Sequence, residues 1–253
     1  MSRLFRAYQT FHKQGFIPIF VDDNFNSRLL IEACVAAGIK GIEYTLRRKD
    51  ADRMIPWIRR NYPDLYILAG STLDNENIVV KARRRHPQLL TLSQLDGLDV
   101  DGFVSIVGWN LDSIRKYSGY RIVIPAAASV TEAFQQVGAG AHFIKLLCPD
   151  IPLIRGFRND ASFDYCPIMV TGGMTLERIP KAIEAGAVLI GSGFDLILKK
   201  QPTGVSVRKI AGILKNYLNN VKEARARKWP CLAKAINRND QVWLDSLPHH
   251  HPF

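Results

Sequence analysis

Three observations in the 253-residue sequence predict an α/β protein built as a (β/α)8 barrel, the TIM-barrel architecture. Short apolar runs alternate with helical patterns, and that alternation implies a parallel sheet with helices packed outside it. Eight such units follow one another, the number that closes a barrel, and a chain with 47% hydrophobic residues can fill its core. No G-x-G-x-x-G segment follows a strand, so a doubly wound open sheet is the less favoured arrangement. The barrel is expected over residues 1–228, with 229–253 as a basic C-terminal extension and not a second domain.

The first unit sets the pattern. Phe16-Ile-Pro-Ile-Phe-Val21 is followed by the turn residues 22–26 and a helical stretch from Ser27 to Ala37. Its apolar residues Leu29, Leu30, Ala33, Cys34 and Ala37 fall on one face, and Gly38 is placed to cap it. Gly41–Leu46 then leads to a helix over Asp50–Asn61, and Leu65–Gly70 to one over Asn75–Arg85. Gly102–Val107 leads to Leu111–Tyr117, and Arg121–Ala126 to Val130–Val137. His142–Cys148 leads to a helix opening at Pro152, and Ile168–Thr171 to one over Leu176–Ala185. The eighth strand, Val188–Gly191, precedes short helical stretches and a long amphipathic helix over Val205–Lys228. His86–Asp101 is longer than a connection needs and is expected to hold an extra strand or an ordered loop.

Charge and cysteine usage narrow the function classes. The formal charge of +11 is concentrated from Lys199 onward, where eleven Lys/Arg face three acids. Such a segment suits a solvated helix face, with nucleic-acid binding as the alternative, and its field favours a small anionic substrate. Cys34, Cys148, Cys166 and Cys231 are scattered without a C-x-x-C, which argues against a zinc site and against a disulfide framework. The start of the chain lacks the apolar core of a signal peptide and no run is long enough for a membrane span, so a cytoplasmic protein is expected. The tract His249-His-His251 reads as a disordered end.

Two ionisable residues interrupt apolar strands. Lys145 lies in Phe143-Ile-Lys-Leu-Leu147, and Glu43 in Gly41-Ile-Glu-Tyr-Thr-Leu46. A buried lysine is costly unless paired, neutral or covalently used, and an amine held uncharged can attack a carbonyl to form a Schiff base. A lysine that reaches out from the strand edge to water is the plainer alternative. Residues 43, 45 and 47 share one strand face. If that face is inward, a carboxylate, a hydroxyl and the Arg47 guanidinium enter one cavity, and a fork such as Arg47 holds a carboxylate through paired hydrogen bonds. The barrel rule places chemistry at the C-terminal strand ends, which adds Ser71 and Thr72 after the third strand. It also adds Thr171-Gly172-Gly173 after the seventh and Gly191-Ser192-Gly193 after the eighth, a pair of turns suited to a phosphate.

At these residues the chain resembles the KDPG/KHG aldolase family of class I, Schiff-base pyruvate aldolases. The matching segments are Ile42-Glu-Tyr-Thr-Leu-Arg47, Ala69-Gly-Ser-Thr72, Ile124-Pro125, Phe143-Ile-Lys-Leu-Leu147 and Val170-Thr-Gly-Gly173, in family order over about 16–195. The resemblance implies a lyase that cleaves a 2-keto-3-deoxy-6-phospho sugar acid to pyruvate and glyceraldehyde 3-phosphate without a metal or other cofactor. By it, Lys145 forms the Schiff base and Glu43 moves protons. Arg47, Thr72 and Thr171 hold the pyruvyl carboxylate, and Gly172, Gly173, Ser192 and Gly193 lie near the distal phosphate. A homotrimer is the implied assembly. The chain departs from the family at Ile106-Val-Gly108, Ala126-Ala-Ala-Ser129 and Leu146-Leu-Cys-Pro149, positions that line the family's substrate pocket. The alternatives are a 4-hydroxy-2-oxoglutarate or phosphogalactonate aldolase, or a non-catalytic barrel that binds a sugar phosphate or nucleic acid.

Overall fold

A computed structural model describes residues 2–199, 204–235 and 241–253. Its strands are β1 (Phe16–Phe20), β2 (Gly41–Thr45), β3 (Tyr66–Gly70), β4 (Gly102–Val104), β5 (Ile122–Ile124), β6 (Ile144–Leu147), β7 (Ile168–Thr171) and β8 (Leu189–Gly193). All pair in parallel, in the order β5-β4-β3-β2-β1-β8-β7-β6. The two ends of that row meet just beyond β5, where Ala126 bridges Lys145. The Lys145 amide donates to Pro125 O at 2.8 Å, and the Ala127 amide to Lys145 O at 3.1 Å. The sheet therefore closes into the expected barrel, and the lysine that interrupts the sixth strand sits on the closing seam.

Side-chain alternation along the strands divides the core in two. Ile17, Leu68, Val104, Ile122, Ile124, Phe143, Met169 and Leu189 form one buried cluster inside the barrel. Their strand neighbours Phe16, Ile42, Ile67, Phe103, Val123, Ile144, Ile168 and Ile190 belong to a second cluster, between the strands and the surrounding helices. The interior is apolar toward the N-terminal strand ends. Nearer the C-terminal ends the inward row turns polar or small, with Glu43, Gly70, Lys145, Thr171 and Gly191.

Three segments differ from expectation. An N-terminal helix, Arg3–Gln14, precedes the first strand; Ser2 caps it by accepting from the Phe5 amide, and Gly15 ends it at φ 66°. Its Leu4, Phe5, Ala7, Tyr8 and Phe11 join the interior cluster, so this helix closes the bottom of the barrel. The long connection before β4 holds a short helix, Leu92–Gly97, whose Thr91 and Gln94 form a reciprocal capping box. No extra strand forms there.

The histidine tract is the third difference. His249 is buried, and its ring stacks on His12 with centroids 4.8 Å apart and an interplanar angle of 15°. Trp243 and Leu244 enter the same cluster, the His250 amide donates to Tyr165 O at 2.7 Å, and Arg158 donates to Pro248 O at 2.9 Å. Aromatic rings with backbone anchors order this end, where composition alone suggests a loose tail.

Arg225 of the long helix Val207–Lys228 is likewise not part of a solvated face. It is buried and donates to the carbonyls of His12 and Val188. Burial lowers its guanidinium to about 10. A Cβ at Gly15 would stand 2.6 Å from the Arg225 Cζ. Lys200, Arg238 and Asp240, counted in the basic segment, lie outside the described residues. Among the described residues no helix is long and apolar enough to cross a membrane.

The buried histidines predict acid sensitivity. Burial lowers His142 to about 3 and His249 to about 3, and drives His12 well below the ordinary imidazole value. The unfolded chain binds these protons near 6.5 while the folded chain refuses them. Stability is then full above about pH 6.5 and falls as pH drops toward 3, by up to ~1.4 kcal/mol per pH unit for each histidine. Melting temperature should fall steadily from pH 7 to pH 4.5, and His249→Phe should flatten that slope. An unchanged slope in the variant would refute a neutral His249 as a source of it.

Candidate active site

Counted either way around the closed wheel, β2 and β6 are four strands apart. Inward side chains from these two strands therefore meet across the barrel axis. Lys145 Nζ lies 3.8 Å from Glu43 Oε1, with the two residues 3% and 1% exposed. This is an ion-pair contact longer than an ordinary hydrogen bond. The second oxygen, Glu43 Oε2, is buried and has no protein partner among the described residues. Gly70, the inward residue at the end of β3, makes room for this carboxylate, since a Cβ there would overlap Glu43 Oε1. A buried pair of this kind stabilises a fold only weakly, which makes a chemical role the better explanation of its presence.

Thr171 ends β7, the strand beside Lys145, with Leu147 in register opposite it. It is 2% exposed, and its Oγ1 also has no protein partner among the described residues. Two buried oxygens, one from Glu43 and one from Thr171, thus remain able to accept or donate to a substrate.

The other hydroxyls on these strands are committed to the backbone. Thr45 donates to Phe20 O at 2.7 Å, tying β2 to β1. Thr72 donates to Val104 O at 2.9 Å, and Ser105 donates to Thr72 O at 2.8 Å. In this arrangement the Thr72 oxygen can still accept a hydrogen bond but has no proton left to donate to a carboxylate. Ser71, before it, adopts φ 61° at the turn out of β3.

The adjacent arginines separate cleanly. Arg47 is exposed just past the end of β2 and makes no ion pair within 4.0 Å among the described residues, so its fork is open toward solvent. Arg48 is buried. It donates to Ser27 Oγ at 2.6 Å, to the Tyr44 hydroxyl at 3.0 Å, to Asp50 at 3.1 Å, and to the carbonyls of Phe25 and Asp22. That network fastens the loop after β1 to the loop after β2 and shapes one side of the barrel mouth.

The turns after β7 and β8 meet the phosphate expectation only in part. Gly172 and Gly173 have φ of 84° and 66°, conformations that disfavour any side chain. A Cβ at Gly172 would overlap the Cys148 sulfur, so the turns after β6 and β7 press on each other. Ser192 departs from expectation. It is 1% exposed and donates to Met174 O at 3.1 Å, on the outward side of β8. The period-two rule explains this, because Leu189, Gly191 and Gly193 take the inward side. Any contact of Ser192 with a ligand in the mouth is left to its backbone. Gly193 is overhung by the side chain of Asp195, which the motif reading did not include. Arg178, also missed, leans over Gly173 with Nη1 2.9 Å from where a Cβ would stand, and it donates to Pro149 O.

Comparison with known proteins follows this geometry. No family model matches the chain. In sequence it is 26% identical over 198 residues to the 2-dehydro-3-deoxy-6-phosphogalactonate aldolase of Escherichia coli (strain K12), covering 76% of this chain and 88% of that protein. The solved native KDPGal structure superposes with a TM-score of 0.63 at 24% identity, covering 83% of this chain and 95% of the other. The KDPG aldolase of Zymomonas mobilis ZM4, solved with 3-phosphoglycerate, gives 0.63 at 20% identity, covering 85% and 94%. The Legionella pneumophila KDPG aldolase, solved with pyruvate captured as a covalent carbinolamine, gives 0.60 at 19% identity, covering 85% and 96%. The structural likenesses carry the barrel fold, and the sequence match extends over most of both chains. In sequence the chain is thus similar to a 2-dehydro-3-deoxy-6-phosphogalactonate aldolase, and in fold to the KDPG and KDPGal aldolase barrels.

Proposed function

We propose that this protein is a class I aldolase, a carbon–carbon lyase that cleaves a 2-keto-3-deoxy sugar acid to pyruvate and an aldehyde. The observation that carries the reading is the Lys145–Glu43 pair, 3.8 Å apart inside the barrel, with one carboxylate oxygen free of protein partners among the described residues. In this reading Glu43 first takes the extra proton of the Lys145 ammonium, the neutral amine attacks C2 of the keto acid, and Glu43 returns that proton to the carbinolamine oxygen, which leaves as water. The resulting iminium is an electron sink. Glu43, directly or through a water, removes the C4 hydroxyl proton, the C3–C4 bond breaks, and its electrons form the enamine. The aldehyde departs, Glu43 passes the proton it took to C3 of the enamine, and water hydrolyses the new iminium to release pyruvate and the free lysine. The open Thr171 hydroxyl and the exposed Arg47 fork hold the pyruvyl carboxylate.

The sequence resemblance taken alone points to a 6-phospho sugar acid with glyceraldehyde 3-phosphate as the second product, and the residues of the β8 rim decide whether that phosphate is accepted. The Escherichia coli relative, an aldolase for the galactonate isomer, makes that epimer the first to assay. Pyruvate release, followed through lactate dehydrogenase and NADH, is measured with the 2-keto-3-deoxy gluconate and galactonate epimers, each with and without the 6-phosphate, and with 4-hydroxy-2-oxoglutarate. Turnover of at least one is expected. Absence of pyruvate from all of them would remove the proposal.

A further inference from the structure

The rim of the barrel at β7 and β8, where barrels of this kind frequently seat the phosphate end of a substrate, carries an acidic side chain. On β8 the inward side is fixed by Gly191: a Cβ there would meet Ile19, Met169 and Thr171, all at 2.7–3.1 Å. Two residues on, Gly193 faces the same side, and a Cβ there would meet Val21 Cγ2 at 3.3 Å and overlap the Asp195 carboxylate. The half-buried Asp195 therefore folds back from the short helix Phe194–Ile197 into the space that Gly193 leaves, on the mouth side of the strand. It forms no ion pair within 4.0 Å among the described residues. Arg178 stands over Gly173 on the neighbouring turn and is tied to Pro149 O. The Ser192 hydroxyl, which could have offered an anion a proton, is committed to Met174 O.

Resting on the aldolase reading, we infer that Asp195 is a specificity-determining residue that selects substrates whose distal end is an uncharged polyol over their phosphorylated counterparts. A phosphate monoester carries about −1.5 to −2 charges at neutral pH. Next to a half-buried carboxylate it meets like-charge repulsion that water screens incompletely. Sugar hydroxyls, by contrast, donate to that carboxylate in charge-assisted hydrogen bonds. A single arginine, held to the next turn, balances neither charge of a dianion fully. The acid in the β8 rim thus changes which member of the 2-keto-3-deoxy acid class the site accepts, without touching the lysine chemistry.

The test compares kcat/KM for 2-keto-3-deoxygalactonate and its 6-phosphate, in wild type and in Asp195→Asn and Asp195→Ser. Wild type is expected to favour the unphosphorylated acid. Both variants should shift the ratio toward the phosphorylated acid by at least about tenfold, the scale of one like-charge contact at a half-buried site. Inhibition by inorganic phosphate should strengthen in the same variants. In parallel, pyruvate and borohydride report on Lys145 with no distal group involved. If the lysine adduct forms but the ratio does not move, or wild type already favours the phosphate ester, Asp195 is not the selector and the aldolase reading stands. If no adduct forms in wild type, the aldolase reading fails and this inference falls with it.

Discussion

Lys145→Met is expected to abolish pyruvate release, lowering kcat/KM by at least ~10⁴-fold, because among the described residues no other lysine is buried and available to form a Schiff base. Methionine fills a similar volume, so packing on the β5–β6 seam is kept. Stability moves in a way that separates charge from chemistry. The single variant leaves Glu43 buried at 1% exposure with no cation beside it, a loss on the order of 3–5 kcal/mol if the carboxylate stays ionised. The double variant Lys145→Met/Glu43→Gln removes that penalty and should regain most of the lost stability while remaining inactive. Denaturant titration of the two variants beside wild type measures this directly. A single variant that melts like wild type would show that the pair is not held as opposed charges.

The second large effect is expected from Glu43→Gln. The amide fits the gap beneath Gly70 as well as the carboxylate does, so the packing is kept, and the cost in stability is that of a buried Lys145 with no anion beside it. What is lost is a group that gives and takes protons, worth about 10²–10⁴-fold in rate for a positioned acid–base residue. The fall should appear in kcat with little change in KM, since glutamine still fills the site and Thr171 and Arg47 remain. The solvent-exchange rate of the pyruvate methyl protons should fall in parallel, because that exchange uses the same proton transfer at C3. Unchanged exchange with a reduced cleavage rate would assign Glu43 to only one half of the reaction.

Most of the fold was legible because a parallel barrel writes itself as short apolar runs with turn residues after each. The Lys145 and Glu43 positions were legible for the same reason: a charge inside such a run has nowhere to go but the interior or the edge. The N-terminal helix was not legible, since Arg3, Arg6, Gln9, His12, Lys13 and Gln14 interleave with its apolar stripe and mask it. The histidine tail was misread because stacking on His12 is a contact between chain ends that no local pattern announces. The alternation from Glu43 singled out Arg47 over Arg48, although both lie past the end of β2, and only the contacts of Arg48 show that it is the one committed to the loops. Ser192 could have been told apart by the same alternation, but its place between two glycines suggested a phosphate turn. Asp195 lies past the strand, where the period of two no longer predicts direction, and only the missing Cβ of Gly193 shows where its carboxylate goes.

The central claim is that the Lys145 amine performs covalent chemistry inside the barrel. Incubation with pyruvate, reduction with borohydride, proteolysis and mass spectrometry test it in one step. The result predicted is the mass of a single reduced pyruvate on the peptide that contains Lys145, absent from Lys145→Met and from samples without pyruvate. An unmodified wild-type chain, or an adduct mapped to a different lysine, would contradict it.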